Sequence, residues 1–222
     1  MGLAQAWSVA LLGVDGVPVE IEAHVGIGLP GFALVGLPDA ALHESKERVR
    51  AAVLNSGEHW PNRRTTLALS PATLRKVGSS YDLALACAVL AADKAVPLSG
   101  LLGSTVLLGE LALDGRLRPV RGVLPSLLAA RRAGLARAVV PLAALPDAAL
   151  VPDIEVFGAG RLRDVLAKGD QAPNGPDSGS RRSGLSSSST LTSLKVITRA
   201  LLRKRAGRYM SHTHASDIRT SK

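Results

Sequence analysis

Leu74–Ala86 reads LRKVGSSYDLALA, and the placement of this stretch decides the fold. Gly78, Ser79 and Ser80 form a turn between two helical signals. Gly78 is free to adopt positive φ and so to stand at a helix C′ position. Asp82 then falls near the start of the next helix, where a carboxylate meets unpaired N–H groups. A turn of exposed N–H groups with two hydroxyls is a candidate anion or nucleophile site. The same residues also read as a plain cap joining two core helices.

Outward from this stretch, the spacing predicts secondary structure on both sides. Thr65–Leu69 is a predicted strand. Ser70-Pro71 supplies an N-cap with proline at the first helical position, opening a short helix that ends at Gly78. Asp82–Ala92 is almost wholly apolar, as a central helix requires. Upstream, β-branched runs at Trp7–Val14 and Val17–Val25 flank Asp15-Gly16, a two-residue hairpin signal. Phe32–Val35 is a short buried strand, and Asp39 opens a helix to about Asn55 with Gly57 just beyond its end. On that helix Lys46, Arg48 and Arg50 alternate with Glu44 and Glu47, the pattern of a solvated face. Gly26–Gly31, GIGLPG, fits a dinucleotide spacing, but a strand follows where that fingerprint requires a helix.

Downstream, Thr105–Leu113 and Arg116–Val120 flank Asp114-Gly115, a second hairpin. Gly122–Ala133 is an amphipathic helix. Ala138–Pro141, Leu145–Leu150 and Ile154–Phe157 read as strand, short helix and strand, and Leu162–Leu166 as a last helical turn. Hairpins with helices inserted between them predict an α+β sandwich rather than a strictly alternating parallel sheet.

Composition limits the functions available. Of 222 residues 46% are apolar, enough for a core, yet only 3% are aromatic, which leaves few rings for stacking on bases. The net charge of +9 is unevenly spread. Residues 1–166 hold 16 Lys/Arg against 15 Asp/Glu, and residues 167–222 hold 11 against 3, a net +8. Residues 167–222 are Gly/Pro/Ser-rich and without apolar periodicity, which predicts a disordered basic tail after a domain spanning 1–166. Leu191–Leu202 is a candidate short basic helix within it. Such a tail binds DNA weakly and without sequence preference. Cys87 has no partner for a disulfide or a metal cluster and reads as a small buried residue. His43 and His59 lack ligand spacing. No apolar run predicts a transmembrane helix and the N-terminus lacks a basic secretory start, so the expectation is a cytoplasmic protein with no membrane partner and no cofactor.

Three ordered stretches, GLPDAALHESKERVRAAVLNSG, SPATLRKVGSSYDLALA and GELALDGRLRPVRGVLP, resemble the N-terminal domain of the ComM/YifB branch of the magnesium-chelatase-like AAA+ ATPases, over about Gly2–Leu166. That resemblance implies a ribosomal protein S5 domain 2-like fold, shared with the Lon protease domain and the C-terminal domain of RadA. In Lon the catalytic serine lies in a stretch of pattern KDGPSAG. Lys76–Asp82, KVGSSYD, places Ser80 at that position. Lon's catalytic lysine lies in GGLKEK, and Arg121–Ser126, RGVLPS, places Leu124 there. Leucine cannot take a proton from serine, so the resemblance implies a broken dyad and no protease activity.

Intact members of the family resemble hexameric ring motors that drive DNA branch migration in natural transformation. The motor would carry G-x-x-x-x-G-K-[ST], which the 222 residues lack; Gly179–Ser188, GSRRSGLSSS, matches only in composition. The expectation is therefore a non-catalytic domain, truncated or frameshifted before the motor, that contributes to ring self-association or DNA handling through Arg75, Lys76, Arg116, Arg118 and Arg121. A serine hydrolase using Ser80 or Ser79, with His24, His43 or His59 as base, is the alternative. Magnesium insertion into a porphyrin finds no nucleotide motif or metal-ligand cluster to support it.

Overall fold

The computed structural model describes residues 1–169, and the predicted tail lies outside the described residues apart from its first three. In chain order the elements are β1 (Gly2–Leu12), β2 (Asp15–Gly26), β3 (Gly31–Val35), α1 (Ala40–Asn55), β4 (Arg64–Ser70), α2 (Asp82–Ala92), α3 (Ser99–Leu102), β5 (Thr105–Leu107), β6 (Glu110–Leu111), β7 (Leu117–Arg118), α4 (Val123–Arg132), β8 (Arg137–Pro141), α5 (Leu145–Ala148), β9 (Glu155–Ala159) and α6 (Leu162–Gly169). Seven strands form one mixed sheet in the order β3-β4-β2-β1-β5-β8-β9, and β6-β7 is a separate ribbon. The β1/β2 and β2/β4 pairs are antiparallel; the β3/β4, β1/β5, β5/β8 and β8/β9 pairs are parallel. The sheet is thus more parallel than hairpin counting predicts, because α1 connects β3 to β4, α4 lies between β5 and β8, and α5 lies between β8 and β9, where tight turns would have made antiparallel pairs.

The strand period of two splits the core between the sheet's faces. Ala6, Ile21, Ala23, Leu67 and Leu107 pack with α1 and α2. Val9, Val106, Leu108, Ala138 and Val140 pack with Val123 and Leu127 of α4 on the opposite face. Helix α2 is buried on all sides except at Ala91, as its apolar composition requires. Cys87 is buried at its centre, and desolvation pushes the thiol up to about 12.

The first hairpin turns two residues earlier than Asp15-Gly16. Leu12 pairs with Asp15, so Gly13-Val14 is the loop, with Gly13 at φ +63°. Gly16 serves packing instead: a Cβ there would stand 2.7 Å from the Ala129 side chain of α4. The second hairpin does turn at Asp114-Gly115, with Gly115 at φ +79°, but its strands are two residues each. The predicted run Thr105–Leu113 breaks after Leu107. There the N–H of Leu108 goes to Val139 O and that of Gly109 to Ser80 O.

No helix spans residues 71–77. That segment pairs with residues 37–39 instead: Lys76 N–H donates to Leu37 O and Asp39 N–H to Lys76 O, at 3.1 and 3.0 Å. Gly78 does take positive φ, +88°, yet it closes no helix; its N–H donates to Asp39 Oδ2 at 3.1 Å. The other Asp39 oxygen caps α1 through Leu42 N–H at 2.7 Å.

Among the described residues, two buried hydroxyls, Ser8 and Thr105, are without hydrogen-bond partners. Thr105→Val keeps the shape and removes the unmet polar group, so it should raise stability by about 1 kcal/mol. An unchanged or lower urea midpoint for the variant would count against that.

Candidate functional site

The predicted site lies where α1, α2 and the β6-β7 ribbon meet. Its backbone is stitched first: Gly109 N–H donates to Ser80 O and Leu83 N–H to Gly109 O, both at 3.1 Å. The Ser79–Asp82 turn and the start of the ribbon are therefore one joint. Leu83 N–H is used in this way and Asp82 N–H donates to Ser79 O at 3.2 Å, which leaves fewer N–H groups at the N-terminus of α2 free to bind an anion.

The side chains lock the joint further. Asp82 is not an N-cap: Tyr81 holds that position, and the Asp82 side chain is fully buried. Arg48 of α1 grips it with Nε to Oδ2 at 3.0 Å and Nη2 to Oδ1 at 3.2 Å. Leu111 N–H of β6 also donates to Oδ2, at 3.2 Å. Burial outweighs these partners and pushes the carboxyl up to about 6. Arg48 is thus no solvated residue. The alternating charges of α1 conceal its partner, which lies 34 positions away in sequence.

Ser79 donates its hydroxyl to Glu110 Oε2, and Arg118 Nη1 donates to Glu110 Oε1 at 3.1 Å. Both contacts hold the Glu110 carboxyl below its usual range, the serine contact foremost. Ser80, half-buried, makes no side-chain hydrogen bond among the described residues. Leu124 stands in the first turn of α4, partly exposed. Of the histidines, His24 and His43 are exposed, and His59 lies 3.8 Å from Asp93. None of them is hydrogen-bonded to Ser79 or Ser80.

The five cationic positions separate into three kinds. Arg75 and Arg121 are exposed and without an acidic partner among the described residues. Arg116 and Arg118 are exposed but paired, with Asp114 at 2.6 Å and Glu110 at 3.1 Å. Lys76 is the correction: it is fully buried, and its ammonium donates to the carbonyls of Gly36 (2.9 Å), Leu69 (3.0 Å) and Pro71. Burial lowers its pKa. It cannot touch DNA or a neighbouring subunit without unpacking the loop. No group of three or more metal-ligating side chains occurs among the described residues. No described helix is long and apolar enough to cross a membrane.

A serine-bearing turn is thus joined to an arginine-edged ribbon beside a mixed sheet, with the Ser79 hydroxyl donated to the Glu110 carboxylate. The family profile for subunit ChlI of Mg-chelatase matches residues 21–144, more than half of the chain, and the chain belongs to that family. It is 60% identical over 162 residues to an uncharacterized protein of Mycobacterium tuberculosis, covering 73% of this chain and 32% of that one. Competence protein ComM of Haemophilus influenzae is 39% identical over 166 residues, 75% of this chain and 32% of ComM. Lon protease of Mycolicibacterium smegmatis is 31% identical over 153 residues, 66% of this chain and 19% of that protease. The chain thus spans about one third of the length of the first two relatives.

Proposed function

We propose that residues 1–166 are the non-catalytic N-terminal domain of a ComM-like ring ATPase acting on DNA, with an S5 domain 2-like fold. The observation that carries this reading is the joint itself. At the position of a Lon-like nucleophile, Ser80 has no hydrogen-bonded base among the described residues, and Leu124 occupies the lysine position. Ser79 is engaged by a carboxylate that Arg118 already holds. A hydroxyl activated for attack needs a free base within hydrogen-bonding reach. The motif therefore serves as a rigid mount for the ribbon and for Arg75 and Arg121 near it in sequence, whose side chains are free to meet phosphate or a neighbouring subunit. In this reading the chain hydrolyses neither peptides nor ATP by itself.

DNA binding tests the assignment. Residues 1–166 carry a net charge of only +1, so a basic tail would dominate nonspecific affinity. A salt titration should compare the full chain, a form ending at Gly169, and Arg75→Ala/Arg121→Ala in each. If the domain handles DNA, the shortened form still binds, and the double substitution reduces its salt slope by about 2. Complete loss of binding on shortening would leave DNA contact to the tail alone and sink the domain's DNA role.

A further inference from the structure

Among the described residues, β3 is an uncovered edge of the main sheet. There this strand, Gly31–Val35, pairs with β4, in parallel. Alternate residues of a strand turn their N–H and C=O groups to opposite sides, so part of the β3 backbone faces away from β4. Among the described residues no other segment pairs with it. Natural edges are usually blunted by lysine, proline, a bulge or a covering element. The sequence GFALV has none of these within it. At the other edge, β9 begins with Glu155, and Lys168 lies 4.1 Å over the Phe157 ring.

The flanks of β3 are apolar and exposed. Leu29 precedes it at 88% exposure, Val35 ends it at 49% and Leu37 follows at 56%. A surface depression at its start is lined by Leu29, Pro30, Phe32 and Arg64. Leu37 is held at φ +54°, a conformation that strains a branched side chain. Lys76 fixes it there, through its backbone N–H to Leu37 O and its ammonium to Gly36 O.

Charge decides which strand fits this edge. Arg64 stands beside Gly31 in the register, exposed and without an acidic partner among the described residues. Lys46 sits 5.8 Å from the Phe32 ring centre, only partly matched by Glu47 at 3.7 Å. Two copies meeting edge to edge would bring these cations together. An acidic partner would neutralise them. We propose that the β3 edge takes an extended apolar segment of another polypeptide that carries acidic residues, added to the sheet as a further strand.

The test uses the full chain and two labelled synthetic peptides of about nine residues, a length that covers a strand. One alternates valine with glutamate, the other valine with lysine. Fluorescence anisotropy should show the glutamate peptide binding at least ~10-fold more tightly. Amide exchange should slow at residues 31–35 when it binds. Arg64→Glu should reverse the preference, and Leu37→Asn, which removes the apolar flank without adding charge, should weaken both peptides; both positions are exposed, and circular dichroism checks that each variant is folded. Equal affinity for the two peptides overturns the proposal, as does protection confined to another region. Protection without peptide of those β3 amides that face away from β4 would mean that residues 170–222 fill the edge. Protection that grows with protein concentration would mean a second copy does. Either result also overturns it.

Discussion

Asp82→Ala should lower stability by about 3 kcal/mol or more, the cost typical of breaking a buried ion pair by removing one partner. The substitution leaves the Arg48 guanidinium, whose side chain is 24% exposed, without its bidentate acceptor. It also leaves Leu111 N–H, buried at the start of the ribbon, unpaired. Because Arg48 retains some access to water, the cost should fall near the lower end of the range for buried pairs. Arg50→Ala, on the exposed side of the same helix, should stay within about 0.5 kcal/mol. Urea unfolding of the full chain measures both; equal midpoints for Asp82→Ala and Arg50→Ala would remove Asp82 from the joint.

The same carboxyl gives the stability a pH dependence of defined sign. Its folded pKa, about 6, lies above the model-compound value of 3.8 because desolvation outweighs Arg48. Between those values the folded state binds the extra proton. The contribution is therefore fully present below about pH 3.8 and is lost as pH rises through about 6. Asp82→Asn has no such group, so the stability of the natural chain relative to Asp82→Asn should fall between pH 4 and 6.5. A relative stability that rises over that interval would show that Arg48 dominates instead.

Elements whose apolar pattern matches their environment are legible in the sequence. The α2 run, the α1 helix with its Asp39 cap, and the β-branched run of β2 all reappear in the structure. The signature turn is placed correctly, and Gly78 has the positive φ expected of it. What the sequence hides is pairing across distance. Residues 71–77 have helical composition, but the backbone of Lys76 is taken by residues 37–39, and that tertiary pairing overrides local preference. Asp15-Gly16 is a sound turn signal locally, yet α4 needs a glycine at position 16, which moves the turn to Gly13-Val14. Arg48 and Asp82 lie on different helices, and no spacing rule links them. An acidic residue at the head of an otherwise wholly apolar helix was the available signal that a cation must reach it from elsewhere.

Lys76 shows the same blindness most clearly, and its replacement should have the second large effect. A lysine beside an arginine in a polar turn reads as surface charge. Here its ammonium satisfies three backbone carbonyls, those of Gly36, Leu69 and Pro71, with the residue entirely buried. These carbonyls belong to the end of β4, the loop after it and the Gly36-Leu37 turn, so one side chain ties three segments. Lys76→Met nearly preserves volume and removes the donors. The buried Leu69 carbonyl left unmet costs about 1–3 kcal/mol and the part-buried Gly36 and Pro71 carbonyls less, offset in part by no longer burying a charge, for a net loss of about 2 kcal/mol. Arg75→Ala, its exposed neighbour, should change stability by no more than about 0.5 kcal/mol. The two variants also separate a structural lysine from a DNA-contacting one. Lys76→Met should lower the urea midpoint while leaving the salt slope of DNA binding unchanged for the folded fraction. Arg75→Ala should do the reverse if the domain binds DNA. An unchanged midpoint for Lys76→Met, together with a shallower salt slope, would return Lys76 to the surface and refute the buried tie.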